Sequence, residues 1–284
     1  MADKGFTYKI RHVLRLFKIM AKMDLAWLLR DTKYAIACII SDLIANMGVV
    51  SGVFLIASRF GGMGGLTPDE VLFMMAYNAM VTGVFIVFGS GNNIHISRII
   101  GRGQLEHLFI QPVPLGTQLL TMGFVPFTGG GSFIVGAVLA VVALQRIGFA
   151  VTPLWIIALA AYLFVTIAII AARSYLVASA AFYAPAAAEE ISTMVIDGTY
   201  FISTFPLSGM PLSLQIPLIT VMPEGLVAWF PAMCLLGKPP FDAAYYPFVF
   251  AFILSFAAYR VFKRGLGYYV KKGSNRYVPD GFRG

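Results

Sequence analysis

The chain has 284 residues, of which 59% are apolar or aromatic and 12% charged, with a mean hydropathy of +0.81, against about 25% charged residues in soluble domains. Its 21 basic and 13 acidic side chains cannot coat a protein of this size against water, so most of the surface faces lipid, which excludes a cytosolic globule and a disordered chain. The net charge of +8 flanks apolar stretches, so it reads as orientation against an anionic membrane face and not as a nucleic-acid surface; Cys38 and Cys234 lie in separate apolar segments and exclude a disulfide scaffold.

Residues 1–33 come first and form an amphipathic unit. Ile10, Val13, Leu14, Phe17, Met20 and Ala21 recur at helical spacing, with Lys9, Arg11, His12, Arg15, Lys18 and Lys22 on the other side. A basic face against anionic headgroups and an apolar face in the acyl boundary predict an interfacial helix lying along lipid. The segment is too basic and too interrupted to supply the apolar region of a cleavable signal peptide.

Residues 34–262 hold six apolar stretches near the roughly 20 residues needed to cross a bilayer: Tyr34–Ala57, Val71–Ser90, Leu115–Ala143, Thr152–Phe182, Ala187–Phe205 and Tyr245–Val261. The fold class is therefore an all-α integral membrane protein with six transmembrane helices. The third and fourth stretches exceed the minimum, and Gly129, Gly130 and Gly131 predict a bend or close packing in the third. Between the fifth and sixth, residues 206–237 are apolar but carry Pro206, Pro211, Pro217, Pro223 and Pro231. That density forbids one straight span, so two short re-entrant helices dipping into the outer face are expected. A basic tail, 263–284, closes the chain.

Orientation follows from lysine and arginine. Eight precede the first span, seven lie from Arg260 onward, and Arg98 and Arg102 add two, while the opposite face receives only Arg59, Arg146 and Lys238. Seventeen against three places both termini in the cytoplasm.

Catalytic motifs are absent from the sequence. There is no G-x-x-x-x-G-K-[ST] loop to cradle phosphates, no H-E-x-x-H or cysteine pair at metal-ligand spacing, and no G-x-S-x-G nucleophile. Three charges do fall inside spans. Asp42, Arg173 and Asp197 lie some eight to ten residues from the inner or outer end of their spans, roughly 12–15 Å deep at 1.5 Å per residue. Similar depth allows Arg173 to pair with Asp197 or Asp42, fixing helix register, and intramembrane ionisable residues are also candidates for function.

The loop of residues 92–114, between the second and third spans, is partly apolar through Ile94, Ile96, Ile99, Ile100, Leu105, Leu108 and Phe109. Gln104 to Ile110 can form a short helix ended by Pro112, with Glu106 near its positive end. Such a helix suits a groove on a cytoplasmic protein; the competing reading is a helix that lies on lipid and binds nothing.

The run from Gly101 through Gln104-Leu-Glu-His-Leu-Phe-Ile-Gln-Pro-Val-Pro114 to Leu120 resembles the segment after the second span in ABC-2 type transporter permeases. Further likenesses follow in order: Ala178 to Tyr183, Phe205-Pro206, Val221-Met-Pro223, Trp229 to Gly237, and Gly265-Leu-Gly-Tyr-Tyr269. The resemblance covers nearly the whole chain. It implies a permease of the bacterial cytoplasmic membrane that dimerises, as a homodimer or with a related chain, and pairs with two separate ATP-binding cassette subunits. Those subunits would bind ATP and Mg, and this chain would carry no cofactor or active site of its own. It also implies export as the usual direction, and coupling to the ATPase through Ile99, Arg102, Gln104, Leu105, Glu106, Leu108 and Phe109. With a dimer axis near the second and fifth spans, Asn78, Thr82, Thr193 and Tyr200 would line a path. The alternative is a secondary transporter or channel without an ATPase, but the chain shows no internal repeat of the kind such folds use. A membrane-embedded enzyme lacks convergent catalytic groups.

Overall fold

The computed structural model describes residues 6–89, 96–101 and 103–272, and they are all-helical apart from turns and one isolated bridge between Met63 and Leu66. In chain order the helices are α1 (Phe6–Arg30), α2 (Thr32–Arg59), α3 (Pro68–Gly89), α4 (Ile96–Gly101), α5 (Leu105–Phe109), α6 (Leu115–Thr121), α7 (Gly131–Ile147), α8 (Pro153–Ala178), α9 (Pro185–Ile202), α10 (Leu212–Thr220), α11 (Trp229–Leu235) and α12 (Tyr246–Lys272). Short 3₁₀ turns extend α8 over Ser179–Phe182 and lead into α11 over Pro223–Leu226.

Local chemistry sets the ends. Thr67 and Glu70 form a reciprocal capping box at the start of α3, the Thr67 amide donating to Glu70 Oε2 at 3.0 Å and the Glu70 amide to Thr67 Oγ1 at 3.4 Å. Thr152 caps α8 by accepting from the Trp155 amide, with Pro153 as its first helical residue. Gly148 ends α7 in the left-handed conformation, φ 73°.

Among the described residues, four helices are long and apolar enough to cross a membrane: α2, α3, α8 with its 3₁₀ turn, and α12. The chain is a multi-pass membrane protein. The pair Leu212–Thr220 and Pro223–Leu235 bends by 72°, which fits the expected proline-broken element. Its two ends lie at the same end of the bundle, because Gly209 abuts Gly64 of the α2–α3 loop and Lys238 reaches Glu70 at the start of α3. We call this end upper, and the end carrying α4, α5 and α6 lower.

Two sequence expectations change. The stretch Leu115–Ala143 is not one helix: it divides into α6 and α7 around residues 122–130, where Gly123 takes φ 85° and Pro126 cannot donate a helical hydrogen bond. At 17 residues α7 falls short of membrane length, and α9, with Glu189, Glu190 and Asp197, is less apolar than the others. The sixth helix continues well beyond Val261 to Lys272, since no glycine cluster or proline interrupts it, so a helix occupies 263–272 of the basic tail. Residues 273–284 lie outside the described residues.

The break in the third stretch is held from outside. Asp24 of α1, only 7% exposed, accepts from the amides of Phe127 and Thr128 at 2.8 and 3.2 Å and from Thr128 Oγ1 at 2.6 Å. Unwinding frees these donors, and one carboxylate satisfies them. Phe17 packs edge-on against Phe88 and Phe124, with centroids 6.1 and 4.9 Å away. One face of α1 therefore rests on the protein, and not on lipid alone as the amphipathic pattern suggested; Leu14 and Met23, each 62% exposed, remain free for the acyl boundary.

The core has two parts. The upper one gathers α3, α7, α8 and the re-entrant element around Phe73, Tyr77, Leu226 and Phe230, with Tyr77 and Thr166 hydroxyls 2.8 Å apart. Helices α3 and α7 cross backbone to backbone at Gly83 and Gly136, where any side chain would collide with Phe133 or with Ala76 and Met80. The lower part joins α4, α5 and α6 to the ends of α8, α9 and α12.

Candidate functional site

Two regions carry polar chemistry or a shaped surface: the lower platform and a buried chamber in the middle of the bundle.

In the platform, Leu105 is fully buried and Leu108 nearly so, both packed with Ile96, Ile100, Leu119, Phe182 and Tyr269. Leu105 and Leu108 find their partner within the chain, which corrects the expectation that these two face another protein. Gln118 holds the fold of the loop, its Nε2 donating to the carbonyls of Leu108 at 2.8 Å and Val113 at 2.6 Å. From α12, Tyr269 donates to Glu106 at 3.4 Å and stacks loosely on Phe109. Ile99 and Glu106 are half-buried; the outward surface is Gln104, His107, Phe109 and Ile110, the last 82% exposed. Arg102 and residues 90–95 lie outside the described residues.

The chamber lies between α3, α8, α9 and the re-entrant element. Arg173 of α8, 8% exposed, sits with Nη2 2.7 Å from Oε1 of Glu224, which is fully buried. That nitrogen donates its hydrogen bond to the Val195 carbonyl at 2.8 Å, so the contact with Glu224 is an ion pair out of line for a hydrogen bond. Arg173 Nη1, Ser192 Oγ and both Glu224 oxygens have no hydrogen-bond partner. Arg173 and Ser192 line a cavity of about 30 Å³ whose walls also include Asn78, Thr82 and Thr199. Asn78 and Thr82 also line an open groove of about 180 Å³ between α2 and α3, with Asn46 and Thr204 at its rim.

The ion pair corrects the expected partnering. Arg173 meets Glu224 and not Asp197, which is exposed on the far side of α9; the side chain of Asp42 lies outside the described residues. Length-based depth counting compares spans and overlooks an element that enters and leaves by one face. A signal was present, since Glu224 is the sole acidic residue between Phe205 and Lys238. Of the proposed path residues, the structure brings Asn78 and Thr82 together on one wall, leaves Thr193 exposed elsewhere, and does not describe the Tyr200 side chain. Helix α3 is mostly enclosed by its own chain, with Asn78, Thr82 and Ile86 forming its half-open strip, so it offers a second chain a narrow strip and not a whole face.

At the upper end, Lys238 pairs with Glu70 at 2.6 Å and Arg146 with Asp69 at 3.6 Å. Two of the three basic residues assigned to that face are thus neutralised by acids, which sharpens the charge contrast between the two ends.

A family model described as "ABC-2 family transporter protein" matches residues 43–273. Neither a curated relative nor a solved structure matches the chain.

Proposed function

The chain belongs to the ABC-2 family of transporter membrane proteins, and on that premise we propose that it is the permease subunit of an exporter, paired with a second permease chain and driven by separate ATP-binding cassette ATPases. The sequence contains no phosphate loop, so ATP and Mg belong to the partner. The observation that carries the reading is the lower platform. Its short helices are locked into the ends of α8, α9 and α12 by Leu105, Leu108 and Tyr269 while Gln104, His107, Phe109 and Ile110 face outward. A push on that surface is delivered to three helices at once, because packed cores shift between discrete arrangements and do not deform smoothly.

In this reading the platform and both termini lie in the cytoplasm of a bacterial cell and the Lys238 end outside, an orientation that the lysine and arginine bias supports. This reading has six crossings, the third made by α6 and α7 together and the fifth by α9. Irregular backbone at residues 122–130 is tolerable there because Asp24 and the Val87 carbonyl satisfy it.

The test is coexpression with an ATPase encoded beside this gene, followed by copurification and reconstitution. Vesicles should hydrolyse ATP and move cargo only when both are present, and Ile110→Asp should lose cargo movement while the protein stays folded. Uphill transport by the chain alone would overturn the reading.

A further inference from the structure

The chamber holds more unmet hydrogen-bonding capacity than a fixed structural pair needs. A buried donor or acceptor without a partner is costly, yet Arg173 Nη1 and Ser192 Oγ are in that condition on the wall of one small void, and Glu224, ion-paired to Arg173, accepts no hydrogen bond. A cavity of about 30 Å³ exceeds the roughly 10–15 Å³ that one water requires, so water can enter beside Arg173 and Ser192. A guanidinium offers a planar fork suited to two oxygens of one anion. Here one arm is turned to the Val195 carbonyl and the other points at the void. The carboxylate on hand belongs to the element that bends by 72° and has both ends at the upper face, which makes it the removable half of the pair. Arg173 is anchored in the last third of a continuous helix.

Next to this charge lies the groove of about 180 Å³. Ala45, Val49, Val50, Met75 and Ala79 give it apolar walls, and Asn78 and Thr82 are shared with the chamber. An apolar slot that shares two polar side chains with the chamber of a buried cation suits a molecule with an apolar tail and an anionic oxygen head.

We propose that Arg173 is the head-group site for an anionic amphiphile, that the α2–α3 groove receives the tail, and that Glu224 occupies the head site in the empty protein. Loading then exchanges one carboxylate or phosphate for another on Arg173, with no bond made or broken, and frees the re-entrant element from α8. The inference deepens the transport reading by naming a cargo class, and it is tested without nucleotide or ATPase, so the two fail separately.

The probe is dodecyl phosphate, measured by equilibrium binding to the full chain in nanodiscs of neutral phosphatidylcholine. Wild type should bind it saturably, with displacement by laurate and none by dodecanol or dodecyltrimethylammonium. Glu224→Gln removes the competing charge and should tighten binding about tenfold, the scale of one hydrogen bond to a charged group. Arg173→Gln should abolish binding. The double variant Arg173→Gln with Glu224→Gln leaves no lone buried charge, so it keeps the fold and should bind nothing. Phosphatidylglycerol added to the disc separates sources: competition identifies a resident lipid headgroup, and unchanged affinity identifies a free amphiphile. Equal binding of the anion and the cation, binding retained in the double variant, or no tightening in Glu224→Gln would each overturn the proposal.

Discussion

Replacing Asp24 with alanine isolates the link between α1 and the broken third stretch. The carboxylate accepts three hydrogen bonds, at 2.6, 2.8 and 3.2 Å, two of them from backbone amides left over by the unwinding. A hydrogen bond to a charged group contributes about 1.5–3 kcal/mol net. Three bonds do not triple that figure, because they share one carboxylate whose own desolvation offsets part of the gain, so a loss of about 3–5 kcal/mol is expected. At about 2–4 °C per kcal/mol for a chain of this size, the thermal midpoint in detergent should fall by roughly 10 °C. Asp24→Asn keeps one acceptor oxygen and should lose about half as much. Thr128→Val removes the hydroxyl contact alone, and combined with Asp24→Ala it should be less than additive, since both delete the same bond. A midpoint for Asp24→Ala within about 2 °C of wild type, or strict additivity in the double variant, would show that Asp24 does not hold the break.

Three other changes probe the remaining packing. Gly136→Ala would place a methyl group 2.6 Å from the Ala76 carbonyl and the Met80 amide, and should abolish the monodisperse peak in size-exclusion chromatography, whereas Gly116→Ala, with nothing within 4 Å, should leave it intact. Leu105→Ala empties a fully buried site and should cost about 3 kcal/mol, read as a lower midpoint in detergent whether or not an ATPase is present. Glu70→Ala removes both a helix cap and the Lys238 pair and should cost about 2 kcal/mol, whereas Lys238→Met breaks only a half-exposed contact and should cost under about 1 kcal/mol in the same assay.

The helices themselves were legible because membrane spans announce themselves by composition alone: α2, α3, α8 and α12 each carry an apolar run that little else can explain. The proline-rich segment was equally readable, since backbone chemistry forbids a continuous helix through Pro211, Pro217 and Pro223. The division of the third stretch was less so. Gly129 to Gly131 marked the neighbourhood of the break, but these glycines alone do not say whether a helix bends or stops. What decided it was Asp24, about a hundred residues away; it falls on the apolar side of the helix with Phe17, but the amphipathic pattern alone does not show that this acid is turned inward to meet free amides. The platform failed for a related reason. Leu105 and Leu108 were correctly recognised as needing burial, but hydrophobicity does not state whether the covering surface belongs to the same chain or another.

The same ambiguity governs the charges, and it explains why counting them located the faces of the molecule but not the partner of Arg173. Orientation depends on a sum over many side chains, so errors in any one boundary cancel. Pairing depends on a single neighbour. Depth along a helix fixes one coordinate of a charge and leaves its azimuth and the identity of the facing element open; Asp197 satisfied the depth and yet lies on the exposed face of α9, while α9 meets Arg173 through the Val195 carbonyl instead. Desolvation gives a stricter criterion. A lone acid in an apolar segment that cannot span the membrane must be met by a cation or exposed to water. Applied to residues 206–237, that criterion singles out Glu224, and among the described residues the cation that meets it is Arg173, buried within α8. The pair then ties the re-entrant element to the helix whose lower end is packed on the platform, a connection of the kind the proposed coupling between the two faces calls for.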